Sequence, residues 1–506
     1  MANHFFARTG CYPQPESVQK SNPSIQVDET MTARPSLRHL LCVGLLCQTG
    51  VLIAGELPAS VAQALRVAEI PRSAVAIVVQ AVDARRPRWV INADQAMNPA
   101  STMKLLTTFA ALDILGPAYT WQTQAFIHGP LENGVLQGDL YLQGSGDPKL
   151  TYDHFARWLR EMRQRGLREI RGDLVLDRHA FAPMAGDAGQ FDHEAMRPYN
   201  VLPDPLLLNF NTLGVQLLPQ AGQAPRLAIE PPLGNLELVN QLRSEDHAAC
   251  GDWRENLRAD VFASGTVDRL ILTGAYPLAC GEQRWNIALP EHSRFVLGVF
   301  RALWAELGGS IAGNVREGAV PPEARLFAVS PSPTLGDIVR DINKYSNNVM
   351  ARQLFLTLGL AAGHRPARPD DGAATLHDWL DRRGLKMPEL ILENGAGLSR
   401  QERISAASLG HLLQAAWHSA VMPEFMASLP IAGSDGTMKK RVQGQGVVGQ
   451  AHIKTGTLDG VKSMAGYVLD QQGRRWIVVC LVNHPRATLA GPAMDALLQS
   501  VWERGN

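Results

Sequence analysis

The chain has 506 residues, 45% of them hydrophobic and 19% charged, a globular composition that excludes a collagen-like or extended disordered protein. Its 48 basic and 48 acidic residues cancel, leaving no global field to draw in nucleic acid or an anionic membrane surface. The length exceeds what one ordinary core fills, so two or three folding units, or one discontinuous domain, are expected.

Residues 1–30 are polar and irregular, with Pro13, Pro15 and Pro23. From Met31, a candidate translation start, the basic residues Arg34, Arg38 and His39 precede an apolar run from Leu40 to Gly55. That is the layout of a secretory signal, with Ala54 and Gly55 marking a nearby cleavage point. The run is short for a membrane span and is broken by Gln48 and Thr49. Glu56 stands where a lipoprotein signal would carry its lipidated cysteine, which argues against a lipid anchor. The competing reading is an ordinary buried helix. Residues 1–55 are thus expected to be an extension plus signal peptide. The mature chain is then secreted across the inner membrane into a periplasmic or other extracytoplasmic space, with no integral span. In such an oxidising compartment Cys250 and Cys280 are candidates for a disulfide, whereas Cys480 sits inside an apolar run and reads as core. No cysteine or histidine cluster has zinc-ligand spacing, so neither a metal nor another cofactor is expected.

Two strand-like runs, Ala74 to Val79 and Arg88 to Ile91, predict a hairpin. Asn98 and Pro99 then suit the start of a helix running to about Leu115 and stopping at Gly116-Pro117. It is apolar on nearly all sides and should be buried. From about 120 to 295, short strand-like runs alternate with Gly, Pro and Asp turns, interrupted by one helix at about 153–165. Helical patterns resume at 293–307, 334–344 and 348–358. Strands follow at 452–455, 465–468 and 476–482, and a helix at about 489–502 closes the chain.

Three short motifs carry chemistry. In Ser101-x-x-Lys104 the side chains share one helix face, and a serine becomes nucleophilic only when an adjacent base takes its proton. Lysine can be that base if burial or positive neighbours lower its pKa; the plainer alternative is a surface pair. Tyr345-Ser346-Asn347-Asn348 can be parsed as Ser346-x-Asn348 or as Tyr345-x-Asn347, both suited to proton transfer, or as a polar interhelical turn. Lys454-Thr455-Gly456-Thr457 on a strand can bind a carboxylate-bearing substrate edge to edge, Gly456 permitting close approach. The backbone amides of Ser101 and Thr457 would make an oxyanion hole. The alternative there is an edge strand guarded by lysine.

Taken together and in this order, Ser-x-x-Lys, Ser-x-Asn and Lys-Thr-Gly resemble the penicillin-recognising serine enzymes, the penicillin-binding proteins and serine β-lactamases. From Ser101 to Ser346 is 245 positions (346 − 101), more than a compact β-lactamase uses. Such an insertion is similar to that of the class C low-molecular-mass penicillin-binding proteins, the D-alanyl-D-alanine carboxypeptidase/endopeptidase family. Gly138 to Pro148, Gly172 to Asp177, Gly397-Leu398-Ser399-Arg400 and Gly433-Ser434-Asp435-Gly436-Thr437 agree with it. Where that family usually has Asp-Gly-Ser-Gly, this chain has Asn394-Gly395-Ala396-Gly397.

The resemblance implies a multidomain α/β chain: a β-lactamase/transpeptidase-like domain, with an antiparallel sheet flanked by helices, built from 56–120 plus 296–506. A mainly β insertion, 121–295, interrupts it and comprises one or two small units. It implies peptidoglycan stem peptides as substrate and β-lactams as mimics. Catalysis would fall to Ser101, Lys104, Ser346 and Asn348, and substrate binding to Lys454, Thr455, Gly456 and Thr457. Asp177, Arg400 and Asp459 would line the pocket for the stem side chain. Two alternatives stay open: a serine β-lactamase, although no Glu-x-x-Leu-Asn loop lies between Ser346 and Lys454, and a non-catalytic penicillin-binding sensor or scaffold.

Overall fold

The computed structural model describes residues 57–184 and 186–503; the extension and signal expected over 1–55 lie outside them. Among the described residues no helix is long and apolar enough to cross a membrane.

The fold is organised around a five-stranded antiparallel sheet that brings the two ends of the chain together. Its order is Ala451–Leu458, Val461–Leu469, Arg475–Asn483, Val75–Ala81, Trp89–Ile91. Side chains alternate across a strand, and here both faces are covered. Val78, Ile477, Val479 and Leu481 enter one core, while Val75, Ile77, Val79, Val478 and Val482 enter another. Continuous Val/Ile runs, rather than apolar–polar alternation, are the consequence. One face carries the helices Lys104–Leu115, Leu335–Tyr345, Asn348–Ala361, Pro369–Arg382 and Ala406–Trp417; the other carries Ala59–Val67 and Gly491–Glu503. The Lys104–Leu115 helix is buried from Lys104 through Leu112, as its all-round apolarity predicts.

The insertion leaves and rejoins this body through neighbouring strands, Gln122–His128 and Arg325–Pro331, which pair antiparallel with Gln122 opposite Pro331. They edge a five-stranded sheet; one four-stranded and two three-stranded sheets complete the insertion. Cys250 and Cys280 are disulfide-bonded within it. Past the expected boundary at 295, the chain still pairs with this region's strands as far as Pro331. The helix His292–Glu306 turns Phe295, Val296, Val299, Phe300 and Trp304 into the insertion's own core, where Phe300 meets Phe155. Helical periodicity reveals that a stripe is buried but not which core it faces.

Candidate active site

Ser101 stands in a short 3-10 turn, Ala100–Met103, that leads into the buried helix. Ala100 occupies the left-handed region, φ 46°, a conformation costly for a residue with a side chain. Surrounding groups hold it. Asn98 Oδ1 accepts from the Ala100 N–H at 2.9 Å, Asn98 Nδ2 donates to the Ser399 carbonyl at 2.8 Å, and Ser463 Oγ donates to the Pro99 carbonyl at 2.6 Å. Two glycines make room for this turn. A side-chain carbon at Gly397 would stand 1.8 Å from the Ala100 carbonyl oxygen, and one at Gly456 would stand 2.7 Å from the Ser101 nitrogen.

Lys104 is fully buried. Its Nζ lies 3.0 Å from Ser101 Oγ, donates to Asn348 Oδ1 at 2.6 Å, and donates to the Ala396 carbonyl. Burial first, then Lys454 and Arg352, push this lysine well below the ordinary 10.5, with Glu402 opposing. A neutral amine has two protons and one lone pair. With the protons directed to Asn348 and Ala396, the lone pair faces Ser101, the arrangement of a general base beside its nucleophile.

In the tetrapeptide from Tyr345, Ser346 contacts Lys454 and Asn348 contacts Lys104. Ser346 takes a left-handed conformation, φ 57°, at the end of the Leu335–Tyr345 helix, and Asn347 caps the next by accepting from the Met350 N–H at 3.0 Å. Tyr345 is 71% exposed. The αL residue ending one helix thus turns Ser346 inward, where Lys454 Nζ donates to its Oγ at 2.8 Å and to the Thr455 carbonyl at 2.7 Å. Burial lowers Lys454 to about 7.

A cleft of about 580 Å³ opens over these groups, lined by Ser101, Ser346, Asn348, Thr455, Gly456 and Thr457. Sequence reasoning missed several of its other walls. Thr437, in the Gly433-Ser434-Asp435-Gly436-Thr437 stretch, meets Thr455 Oγ1 at 2.7 Å. Phe191, Asp192 and Tyr199 come from the insertion, and Arg441 and Lys462 from the catalytic body. No spacing rule connects such distant loops to Ser101.

The three looser assignments separate. The Arg400 guanidinium lies 4.8 Å over the Phe191 ring and donates to the Asp459 carbonyl at 2.9 Å. Arg400 lines an adjoining cavity of about 540 Å³ that shares Phe191 and Leu398 with the cleft. Asp177 lines neither cavity. It is buried, and its carboxylate accepts from Gln143 Nε2 at 2.8 Å and the Val320 N–H at 3.1 Å, so its hydrogen bonds hold the insertion together. Among the described residues no three His, Cys, Asp or Glu side chains cluster as a metal site would require.

Known proteins resemble this chain over most of its length. The D-alanyl-D-alanine carboxypeptidase DacB of Haemophilus influenzae is 25% identical over 394 residues, 78% of this chain and 81% of that protein. A D-alanyl-D-alanine carboxypeptidase of Actinomadura sp. is 26% identical over 426 residues, 80% and 76% of the two chains. The crystal structure of penicillin binding protein 4 from Haemophilus influenzae superposes with a TM-score of 0.73 at 23% identity, covering 88% of this chain and 99% of that one. The fold is therefore the penicillin-recognising, transpeptidase-like one. Since the family model for D-Ala-D-Ala carboxypeptidase 3 (S13) also matches residues 57–501, spanning catalytic body and insertion alike, the chain belongs to that family.

Proposed function

We propose that this enzyme hydrolyses the D-Ala-D-Ala bond of peptidoglycan stem peptides, and the cross-links derived from it, through an acyl-enzyme on Ser101. The observation that carries this reading is the buried Lys104, whose Nζ lies 3.0 Å from Ser101 Oγ with its other partners fixed on Asn348 and Ala396. The Ser101 proton passes to Lys104 as Oγ attacks the penultimate carbonyl, and the amides of Ser101 and Thr457 receive the oxyanion. Ser346 relays a proton to the leaving amine. Asn348 holds the substrate amide, and Lys454 with Thr455 binds the terminal carboxylate. Water then releases the acyl group. β-Lactams acylate the same serine and leave slowly. The Cys250–Cys280 disulfide supports an exported, extracytoplasmic enzyme.

Mass spectrometry with penicillin and with a D-Ala-D-Ala pentapeptide tests the reading. Stable acylation of Ser101 with loss of terminal D-Ala is expected. Rapid penicillin turnover without peptide cleavage would indicate a β-lactamase, and release of D-Ala by Ser101→Ala would refute the mechanism.

A further inference from the structure

Glu402 follows Ser399-Arg400 in the loop over the nucleophile helix and is fully buried. Burial pushes its pKa above the ordinary 4.5, opposed by hydrogen bonds from the Asn394, Glu393 and Gly395 amides and by Lys104, which favour the charged carboxylate. Its Oε1 accepts from the backbone N–H groups of Glu393 at 3.2 Å, Asn394 at 3.0 Å and Gly395 at 2.9 Å. Its Oε2 has no hydrogen-bond partner among the described residues. The backbone it holds is the backbone that holds Lys104. The Gly395 carbonyl accepts from Thr107 Oγ1 at 2.7 Å, and the Ala396 carbonyl accepts from Lys104 Nζ. The charged groups acting on Lys104 come from three other elements: Lys454 on its strand, Arg352 on the Asn348–Ala361 helix, and Glu402. Arg352 itself feels Glu402 and Glu393, and its buried Nε also lacks a partner among the described residues.

We propose that Glu402 is a positioning residue for acylation: its carboxylate fixes the Glu393–Ala396 backbone so that the Ala396 carbonyl meets Lys104 Nζ, and it supplies that lysine with a buried countercharge. The role rests on the acyl-enzyme reading above. In that step the Ser101 O–H bond breaks, its proton moves to the Lys104 lone pair, and Oγ bonds to the substrate carbonyl carbon. The ammonium so created is the species that Glu402 stabilises.

The test is the second-order rate of benzylpenicillin acylation against pH for the wild type, Glu402→Gln and Arg352→Met, with circular dichroism and thermal unfolding as checks on folding. Glu402→Gln keeps the size and removes the charge. It should slow acylation at its plateau by about tenfold and move the acid limb about one unit lower, since an opposite charge favours the protonated lysine. Arg352→Met should move the limb upward. Opposite displacements are not what a merely structural role produces. An acid limb unmoved in both variants, or moved the same way in both, overturns the role. If Glu402→Gln does not fold, Glu402→Asp decides: it keeps the charge but shortens its reach to the Glu393–Gly395 amides, so slowed acylation in a folded variant supports the positioning role and an unchanged rate refutes it. Wild-type protein that never acylates at Ser101 would overturn the acyl-enzyme reading, and this role with it; unmoved variants of an acylating wild type overturn this role alone.

Discussion

Lys454 donates to Ser346 at 2.8 Å from the edge of the catalytic sheet. Two residues further on, Asn348 accepts from the second buried lysine, Lys104, at 2.6 Å. Two ammonium groups buried in one site disfavour each other, so they give up protons in separate steps. Lys104 is pushed down first by burial and then by Lys454, and burial alone lowers Lys454 to about 7. A carboxylate bound beside Lys454 needs that lysine in its charged form.

The alkaline side of the pH profile should accordingly depend on the substrate's terminal carboxylate. Lys454 titrates at about 7 in the free protein, so kcat/KM for a D-Ala-D-Ala peptide should fall as pH rises through that region. A substrate amidated at its C-terminus lacks the ionic partner. The ratio of kcat/KM for acid over amide should be large at pH 6 and shrink towards pH 9. A ratio constant across that range would separate Lys454 from carboxylate binding.

The same lysine makes a statement about stability. Its folded pKa is about 7, against about 10.4 in an unfolded chain, so between these values the unfolded state binds more protons. Stability contributed by this site should therefore rise as pH increases from about 7 to about 10, and the burial penalty is fully present below 7. Lys454→Met should raise the Tm at pH 6, with a gain on the order of a few kcal/mol, and the difference should narrow by pH 10. Thermal scans at the two pH values measure it, and a gain equal at both would contradict the assignment.

Gly397 should tolerate no side chain. Its φ is 77°, and an added carbon would lie 1.8 Å from the Ala100 carbonyl, a backbone atom with no room to yield. Gly397→Ala should cost about 2–3 kcal/mol or more. It should also slow penicillin acylation, because the displaced peptide is the one preceding Ser101. Denaturant unfolding and acylation kinetics check the pair of effects, and loss of stability with unchanged acylation would dissociate the glycine from the nucleophile turn.

The elements that position Ser101 were legible because their signals are local. An all-round apolar helix beginning after Asn98-Pro99 has one destination, the core, and the Val/Ile runs at 75–79 and 477–482 have one use, a sheet covered on both faces. Even so, the helix opens with a 3-10 turn behind a left-handed Ala100, because contacts from Asn98, Ser399 and Gly397 override the local preference. The helices Pro369–Arg382 and Ala406–Trp417 were not anticipated at all, the first being polar through much of its length. Asp177 looked like a pocket residue by its motif, yet it is held by Gln143 and Val320 within the insertion's sheet. What could not be read was tertiary: which loops reach the cleft, where Phe191, Asp192 and Tyr199 arrive from the insertion. Glu402 was equally hidden, since its importance lies in backbone amides that have no sequence signature.

The disulfide offers a way to separate the insertion's stability from the chemistry. Cys250 and Cys280 close a loop with a sequence separation of 30, and neither lines the cleft over Ser101. On chain-entropy grounds, losing such a cross-link costs about 3–4 kcal/mol. Its effect should fall on the three-stranded sheet built from Leu236–Glu245, Leu257–Ser264 and Val267–Pro277, beside which the bridge is set. A Cys250→Ser, Cys280→Ser double variant should therefore unfold at lower temperature or denaturant than the wild type, while its second-order rate of penicillin acylation at 25 °C stays within about twofold, since the helices carrying Lys104 and Asn348 pack through Leu105, Leu106, Met350 and Ala351 into a different core. Reducing agent should reproduce the stability loss in the wild type and leave the double variant unchanged. If acylation falls in step with stability, the insertion and catalytic body unfold as one cooperative unit, and the insertion supports the nucleophile rather than only walling the cleft.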